Sequence, residues 1–360
     1  MPADIVVGAF FGDEGKGLIS AFLANKFNAT MVARAGTGTN AEHGIFLKDE
    51  SKYLKCNQLP LGFMFSEHNK IAIGSGVAVN PDILFSEIVR YNLHQRVFVD
   101  YRCPITTAEH IEREKSNVRM SKIGSTMSGT GATRSDFVNR IALQAKDIPE
   151  LKKFLIDIGD VINDEAKDNH VIIESSQGTY LSLAVSSDYP NVTSDNVLST
   201  SAMDDVLLNP RLLNDVYLVV KAIPTREGQG DMFSEELTQD EINNGNMVEI
   251  SSINAQVRRK AKGFNWDALE YASKINGASR IALTFLDHYD RDCTNVKNYR
   301  DITAKCRKLI DEIERRLNIP VTILNTGKGY NCLIDLVSEY CPVNWENIGR
   351  IVEARAKYCS

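Results

Sequence analysis

Residues 8 to 17 read GAFFGDEGKG and follow the apolar run Asp4-Ile-Val-Val at the start of the chain. Within these ten positions stand four glycines, two carboxylates and one lysine. The run before them has the character of a first strand, and LISAFLANK after them that of a helix, so the stretch reads as a strand–loop–helix turn. A Walker loop requires G-x-x-x-x-G-K-[ST]. Here Phe10 stands five positions before Gly15, and the residue after Lys16 is Gly17, which has no hydroxyl for a metal. The G-x-G-x-x-G pattern does not fit either. The physics of phosphate binding nevertheless persists: glycines let backbone N–H groups approach an anion, a helix N-terminus follows, and Lys16 adds charge. Asp13 and Glu14 are groups that a pure phosphate cradle excludes, since like charges repel, and they point to a metal ion or to proton transfer.

Outward from this turn, short β-branched runs recur at 5–7, 30–33, 71–74, 97–99, 171–174, 216–220, 281–285 and 321–324. Most are continuously apolar, as in strands buried on both faces. Helical patterns lie between them. Asn80-Pro81 supplies a cap and a first-turn proline, Thr106-x-x-Glu109 a possible capping box, and KCRKLIDEIERRLN and NWENIGRIVEARAKYC are amphipathic. The alternation predicts an α/β fold: a mostly parallel central sheet with helices on both faces and long rim loops. We find no repeat or linker and expect one domain over 1–360, with an irregular, loop-rich segment around 226–262. Ligands in such a sheet sit beyond the carboxyl ends of the strands.

An apolar fraction of 43% with 24% charged residues suits a soluble globular enzyme. The net charge of −6 argues against a nucleic-acid partner, and no stretch approaches the span of a membrane helix. Seven cysteines without a C-x-x-C pair read as reduced thiols rather than a metal site or disulfides. With no signal-peptide pattern at the N-terminus, the expected location is cytoplasmic.

Five further stretches carry chemistry. RAGTGTNAEHG (34–44) is a second Gly-rich loop and holds His43. GSTMSGTGATRSDFVNR (124–140) is dense in hydroxyls and suits a phosphate monoester. SSQGTY (175–180) is followed by YPNVTSDN (189–196), and VRRKAKG (257–263) crowds four cations into six positions. ALTFLDHYD (282–290) ends a strand with Asp287, placed to accept hydrogen bonds from a base edge.

Taken in order, GDEGKG, TNAEH, STMSGTGA, QGT with YPNVTS, PTREGQG, RRK, TFLD and NTGKG resemble the motifs of the adenylosuccinate synthetase family over nearly the whole chain, in its shorter, archaeal-like form. That resemblance implies a ligase joining L-aspartate to C6 of a 6-oxopurine nucleoside monophosphate. A purine nucleoside triphosphate first phosphorylates O6, and the aspartate amine then displaces phosphate. It implies that Asp13 removes the N1 proton and ligates Mg²⁺, helped by a backbone carbonyl near Glu42, and that His43 is the general acid at the transferring phosphoryl group. Lys16 would neutralise the γ-phosphate, with Gly12, Gly15 and Gly17 forming the triphosphate loop. Asn40, Thr126, Gln177 and Thr193 match the monophosphate pocket. Arg140 matches an arginine reaching that phosphate from a partner subunit, which implies a homodimer. Arg258 and Arg259 match the aspartate-binding loop, and Asp287 with Thr326 and Gly327 the pocket for the triphosphate's base.

The departures from the family pattern gather where substrates are distinguished. The usual NAGHT reads Asn40-Ala-Glu-His-Gly, TGRRRR reads Ala255-Gln-Val-Arg-Arg-Lys, and RVGAGPFPTE reads Arg226-Glu-Gly-Gln-Gly-Asp-Met-Phe-Ser-Glu. The lysine of TKLD is Phe285, which opens ATP or dATP as alternatives to GTP. Such retuning resembles the phage ligases that convert dGMP to N6-succino-2-amino-2′-deoxyadenylate for 2-aminoadenine DNA, and a phage-encoded enzyme would act in the host cytoplasm. Some of those enzymes replace the catalytic aspartate, whereas Asp13 is kept here. The expectation is dGMP with ATP or dATP, with IMP and GTP as the alternative. A non-enzymatic nucleotide switch is disfavoured by the missing Walker spacing and the added carboxylate–histidine pair.

Overall fold

The structure is a computed structural model and describes residues 2–251, 257–337 and 344–358. Ala255 and Gln256 of the arginine-bearing loop, together with Cys341 and Cys359, lie outside the described residues. Each of the eight apolar runs forms a strand. The first seven strands are β1 (Ala3–Gly8), β2 (Met31–Arg34), β3 (His43–Phe46), β4 (Tyr53–Cys56), β5 (Lys70–Ile73), β6 (Val97–Asp100) and β7 (Leu155–Ile156). The second seven are β8 (Val171–Glu174), β9 (Leu213–Lys221), β10 (Thr225–Arg226), β11 (Arg259–Lys260), β12 (Arg280–Thr284), β13 (Val321–Asn325) and β14 (Leu333–Asp335). Ten of them form one sheet in the order β14-β13-β12-β9-β1-β8-β2-β5-β6-β7. All neighbours are parallel except the edge pair β13–β14.

Burial on both faces explains why these strands are continuously apolar. Val6 of β1 packs into a core with Ile19, Phe22 and Phe63 on one side of the sheet. Its neighbours Ile5 and Val7 pack into a second core with Ile173, Leu218 and Ile313 on the other. Helices Lys16–Lys26, Pro81–Arg90, Ala304–Leu317 and Trp345–Lys357 occur where the apolar periodicity placed them. Asn80 caps its helix by accepting from the backbone N–H groups of Asp82 and Ile83. One cap differs from expectation: the helix Ala108–Lys115 is capped at Thr107, whose N–H donates to His110 Nδ1 at 2.9 Å. Thr106 instead accepts from the Thr133 hydroxyl, so the spacing to Glu109 is not the operative one.

The parallel order explains why the chemistry-bearing stretches converge. The GAFFGDEGKG turn follows central strand β1, SSQGTY follows β8 and the RAGTGTN loop follows β2. The PTREGQG stretch follows β9, FLDHYD follows β12 and NTGKG follows β13. All six strand ends lie on the same edge of the sheet, because parallel strands end together. The segment 226–262 is less irregular than its composition suggests: β10 pairs with β11, and a short helix spans Gln239–Asn244. The cysteines also hide a spatial relation. The sulfurs of Cys293 and Cys306 lie 3.1 Å apart, with Asp290 beside them, a proximity that a thirteen-residue separation conceals. Among the described residues, no helix is long and apolar enough to cross a membrane.

Candidate active site

The opening loop is built around its own second carboxylate. Glu14 is buried and turns inward, so that its Oε1 accepts from the N–H groups of Phe10 (2.9 Å) and Gly12 (3.0 Å). Lys16 is buried too, and its Nζ donates to Gly12 O (3.0 Å) and Glu14 Oε2 (3.1 Å). Glu14 therefore holds backbone donors and a lysine of the kind an incoming phosphate would use. That resolves the like-charge puzzle of the sequence. Two glycines are demanded by geometry. Gly15 sits at φ 88° as the cap of the Lys16–Lys26 helix. A Cβ on Gly17 would lie 2.9 Å from His43 Cβ and 2.8 Å from Leu61 Cδ1, so the position of the Walker hydroxyl is taken up by close approach of the His43 strand.

His43 begins β3 and is nearly enclosed. Its Nδ1 lies 2.5 Å from Glu174 Oε1, while Arg34 Nη1 donates to the same carboxylate oxygen at 2.8 Å. Glu174 Oε2 is satisfied by the Leu61 N–H (2.9 Å) and the Ser20 hydroxyl. Burial first, then the neighbouring Arg34 cation, push His43 down to about 4, so the ring is neutral at pH 7. Burial opposes ionisation of Glu174, but its contacts with His43 and Arg34 outweigh it and hold the carboxyl at about 2. The group is thus an Arg34–Glu174 ion pair against which the neutral imidazole rests, with His43 Nδ1 facing both the Glu174 carboxylate and, at 2.6 Å, Arg34 Nη1. Neither Arg34 nor Glu174 was found from the sequence. Their signal was a charged residue closing each of two apolar runs, MVAR and VIIE, which the register places directly opposite one another.

Asp13 lines a cavity of about 500 Å³ together with His43, Glu42 and Arg258. The four monophosphate candidates Asn40, Thr126, Gln177 and Thr193 line the same cavity. Asn40 Nδ2 donates to Thr193 Oγ1 at 3.2 Å, tying the β2 loop to the YPNVTS loop. Asp13 Oδ2 meets Arg258 Nε at 3.3 Å and the Thr225 hydroxyl at 3.4 Å. Burial raises its carboxyl to about 6 against the opposing fields of Arg258 and Lys221, which suits a base that works near neutrality. Arg258 also binds Glu227 Oε1 at 2.8 Å.

Other expected residues lie elsewhere. Arg259 does not line the cavity: it pairs with Glu236 and donates to the carbonyls of Gly228 (3.2 Å) and Gly230 (2.8 Å), because its strand position in β11 turns it to the rim. Arg140 is exposed at the end of the Thr130–Val138 helix and does not line the cavity either. Asp287, Thr326 and Gly327 do not line this cavity. Thr284 Oγ1 donates to Glu14 O at 2.8 Å, and the Phe285 ring packs against Gly15. Asp287 is raised to about 6 by burial, and its Oδ1 has no hydrogen-bond partner among the described residues, as an acceptor kept for a ligand would be. Phe285 holds a left-handed backbone (φ 59°), with Lys221 Nζ 4.0 Å from its ring centroid. Lys221 in turn bonds the Thr225 hydroxyl (2.8 Å) and Glu249 (2.7 Å). That buried cluster also escaped the sequence reading.

For Mg²⁺, the donor set is one part-buried carboxylate, Asp13, with Glu42 in the same cavity wall. Among the described residues no group of three potential ligands surrounds Asp13. This fits Mg²⁺, which takes most of its oxygens from phosphates and water, rather than an ion requiring an all-protein cage.

The adenylosuccinate synthetase family model matches residues 5–154 and 148–291. The adenylosuccinate synthetase of Thermococcus onnurineus is 38% identical over 340 residues, covering 93% of this chain and 98% of that protein. That of Archaeoglobus fulgidus is 38% identical over 343 residues, covering 94% and 99%. Two solved structures share the fold at 20% identity. The fully ligated adenylosuccinate synthetase of Plasmodium falciparum has a TM-score of 0.82, over 93% of this chain and all of that one. The succinoaminodeoxyadenylate synthetase of cyanophage S-2L, bound to dGMP and dATP, has a TM-score of 0.76 over 98% and 99%. The chain belongs to the adenylosuccinate synthetase family and is a carbon–nitrogen bond-forming ligase of that type.

Proposed function

We propose that the enzyme joins L-aspartate to C6 of dGMP, with ATP or dATP as phosphoryl donor, giving N6-succino-2-amino-2′-deoxyadenylate. The observation that carries the reaction chemistry is the single cavity lined by Asp13, His43 and Arg258. Asp13 takes the N1 proton, which makes O6 a nucleophile toward the γ-phosphoryl group. The neutral His43 ring donates a hydrogen bond through its one N–H to the transferring phosphoryl group, with no change in its own charge. Lys16 exchanges Glu14 for phosphate oxygens. The aspartate amine then attacks C6, phosphate leaves, and Arg258 pairs with a carboxylate of the incoming amino acid. Asp13 and the carbonyl beside Glu42 would hold Mg²⁺, which supplies charge neutralisation at the phosphates when bound. Asn40, Thr126, Gln177 and Thr193 receive the 5′-phosphate, and Asp287 with Thr326 and Gly327 the donor's base. Arg140, exposed on one protomer, reaches the partner's monophosphate in a homodimer.

The choice of dGMP rests on the rim, where Glu227, Val257 and Phe285 replace the valine, arginine and lysine of the family pattern. A second reading, IMP with GTP, is favoured by the archaeal relatives at 38% identity. A substrate matrix separates them: IMP, dIMP, GMP and dGMP against ATP, dATP and GTP, each with L-aspartate. The expected maximum of kcat/KM is dGMP with ATP or dATP. A maximum at IMP with GTP would replace this reading by the second.

A further inference from the structure

We infer that Glu227 reads the exocyclic 2-amino group of the purine and so decides between a 2-aminopurine substrate and hypoxanthine. The inference rests on the proposed dGMP reading and deepens it. Glu227 lies in the cavity wall, immediately after the β10 strand that pairs with β11. Asp13 Oδ2 and Glu227 Oε1 both contact Arg258 Nε, at 3.3 and 2.8 Å, so the two carboxylates flank one guanidinium nitrogen. Arg258 Nη2 binds the same Oε1 at 2.8 Å. Glu227 therefore commits one oxygen to Arg258, and its Oε2 has no partner among the described residues. A carboxylate is an acceptor only, so this part-exposed oxygen is available to a ligand donor in exchange for water.

The Watson–Crick edge of a 6-oxopurine offers N1–H, and only the 2-amino member offers a second donor beside it. With N1–H directed to Asp13, N2–H is the next donor along the edge, and in the inferred pose it turns toward Glu227, the carboxylate that shares Arg258 with Asp13. Hypoxanthine would set a C2–H there and strand the Glu227 oxygen against an apolar edge. Sites built to hydrogen-bond a substrate group reject analogues that lack it, because the site's own polar group is left unpaired. Glu227 is still part-exposed at 22%, so water compensates partly and the discrimination falls well short of that in a sealed site.

The test is the ratio of kcat/KM for dGMP to that for dIMP, measured with the wild-type donor nucleotide and saturating L-aspartate, with the aspartate KM recorded separately. The wild-type ratio is expected to be about 10 to 100. Glu227→Val should bring it to within about threefold of unity, and Glu227→Gln, which keeps an acceptor oxygen, should retain most of it. An unchanged ratio in Glu227→Val, or a change confined to the aspartate KM, overturns the inference by reducing Glu227 to a prop for Arg258. If Glu227→Val does not fold, calorimetric binding of dGMP and dIMP to the wild type and to Glu227→Val,Arg258→Leu decides it: equal wild-type affinities overturn it. A wild type that prefers IMP or dIMP outright fails the dGMP reading itself, before any variant is compared.

Discussion

Two carboxylate–cation assemblies reach one cavity, the first through His43 and the second through Asp13, and they differ in how much water they keep. In the first, Arg34, Glu174 and His43 are 1%, 0% and 6% exposed, and every oxygen of Glu174 is taken by a protein donor. In the second, Asp13, Arg258 and Glu227 are 16%, 23% and 22% exposed, with longer contacts and one free oxygen. The dry assembly has one arrangement, since a buried charge cannot lose a partner cheaply. The wet one tolerates exchange, because water replaces whatever a ligand displaces. In the proposed reaction the element held fixed, the neutral His43 ring, belongs to the first. The groups that would release Arg258 to a substrate carboxylate belong to the second. Among the departures from the family pattern, Glu227 belongs to the second assembly and Val257 is the chain neighbour of Arg258.

The largest expected effect breaks the chemistry without breaking either assembly's packing. Asp13→Asn removes the base and should lower kcat/KM about 10³-fold. Burial already disfavours the Asp13 charge, since its folded pKa stands near 6, above the ordinary carboxylate value. Ionised Asp13 therefore costs stability at pH 7, and the neutral amide should leave Tm unchanged or higher. Near-normal turnover would dismiss Asp13 as the base.

Glu174→Gln attacks the dry assembly instead, and here activity and stability fall together. The substitution strands the Arg34 guanidinium beside His43, with a cost of about 3–5 kcal/mol. It also frees the imidazole to adopt the other tautomer, for which we expect about a 10²-fold fall in kcat with little change in substrate KM. Thermal unfolding and steady-state kinetics on the same preparation check both halves. A stable variant with normal kcat would show that the His43 ring is oriented by something else.

What the sequence made legible follows the same division. The strands were readable because burial on both faces leaves no polar alternation, and the site loops because parallel strands end on one edge. Asp13, His43, Asn40, Thr126, Gln177, Thr193 and Arg258 were brought into one cavity as their motifs implied. Glu14 was seen but misjudged: its charge looked repulsive to phosphate until the structure showed it filling the loop's own donors. Glu174 and Arg34 were hidden because an ion pair between register partners on adjacent strands leaves no local pattern, 140 residues apart in the chain. Arg259 stands apart from the cavity, paired with Glu236. Arg259 is held in β11 opposite Arg226, whereas Arg258 precedes the strand and reaches the cavity.

Arg258→Leu probes the wet assembly and should have the smallest effect on the maximal rate. The KM for L-aspartate is expected to rise about 10-fold, which corresponds to ~1.4 kcal/mol of lost carboxylate pairing. The sharper readout is the acid limb of kcat/KM. In the free wild-type enzyme Asp13 must be deprotonated to accept the N1 proton, so activity should fall as pH drops through about 6. Arg258 favours the ionised form of Asp13, and Glu227 opposes it. Removing the cation leaves the second carboxylate uncompensated, so the Asp13 pKa must rise and the limb must move to higher pH. Glu227→Gln removes the opposing charge and should move the same limb to lower pH. Opposite displacements in the two variants would show that Asp13 titrates within a shared, water-exposed charge cluster. Displacement in the same direction, or none, would mean that Asp13 is set by burial alone, and the contrast between the two assemblies would then lie in their packing rather than in their charge.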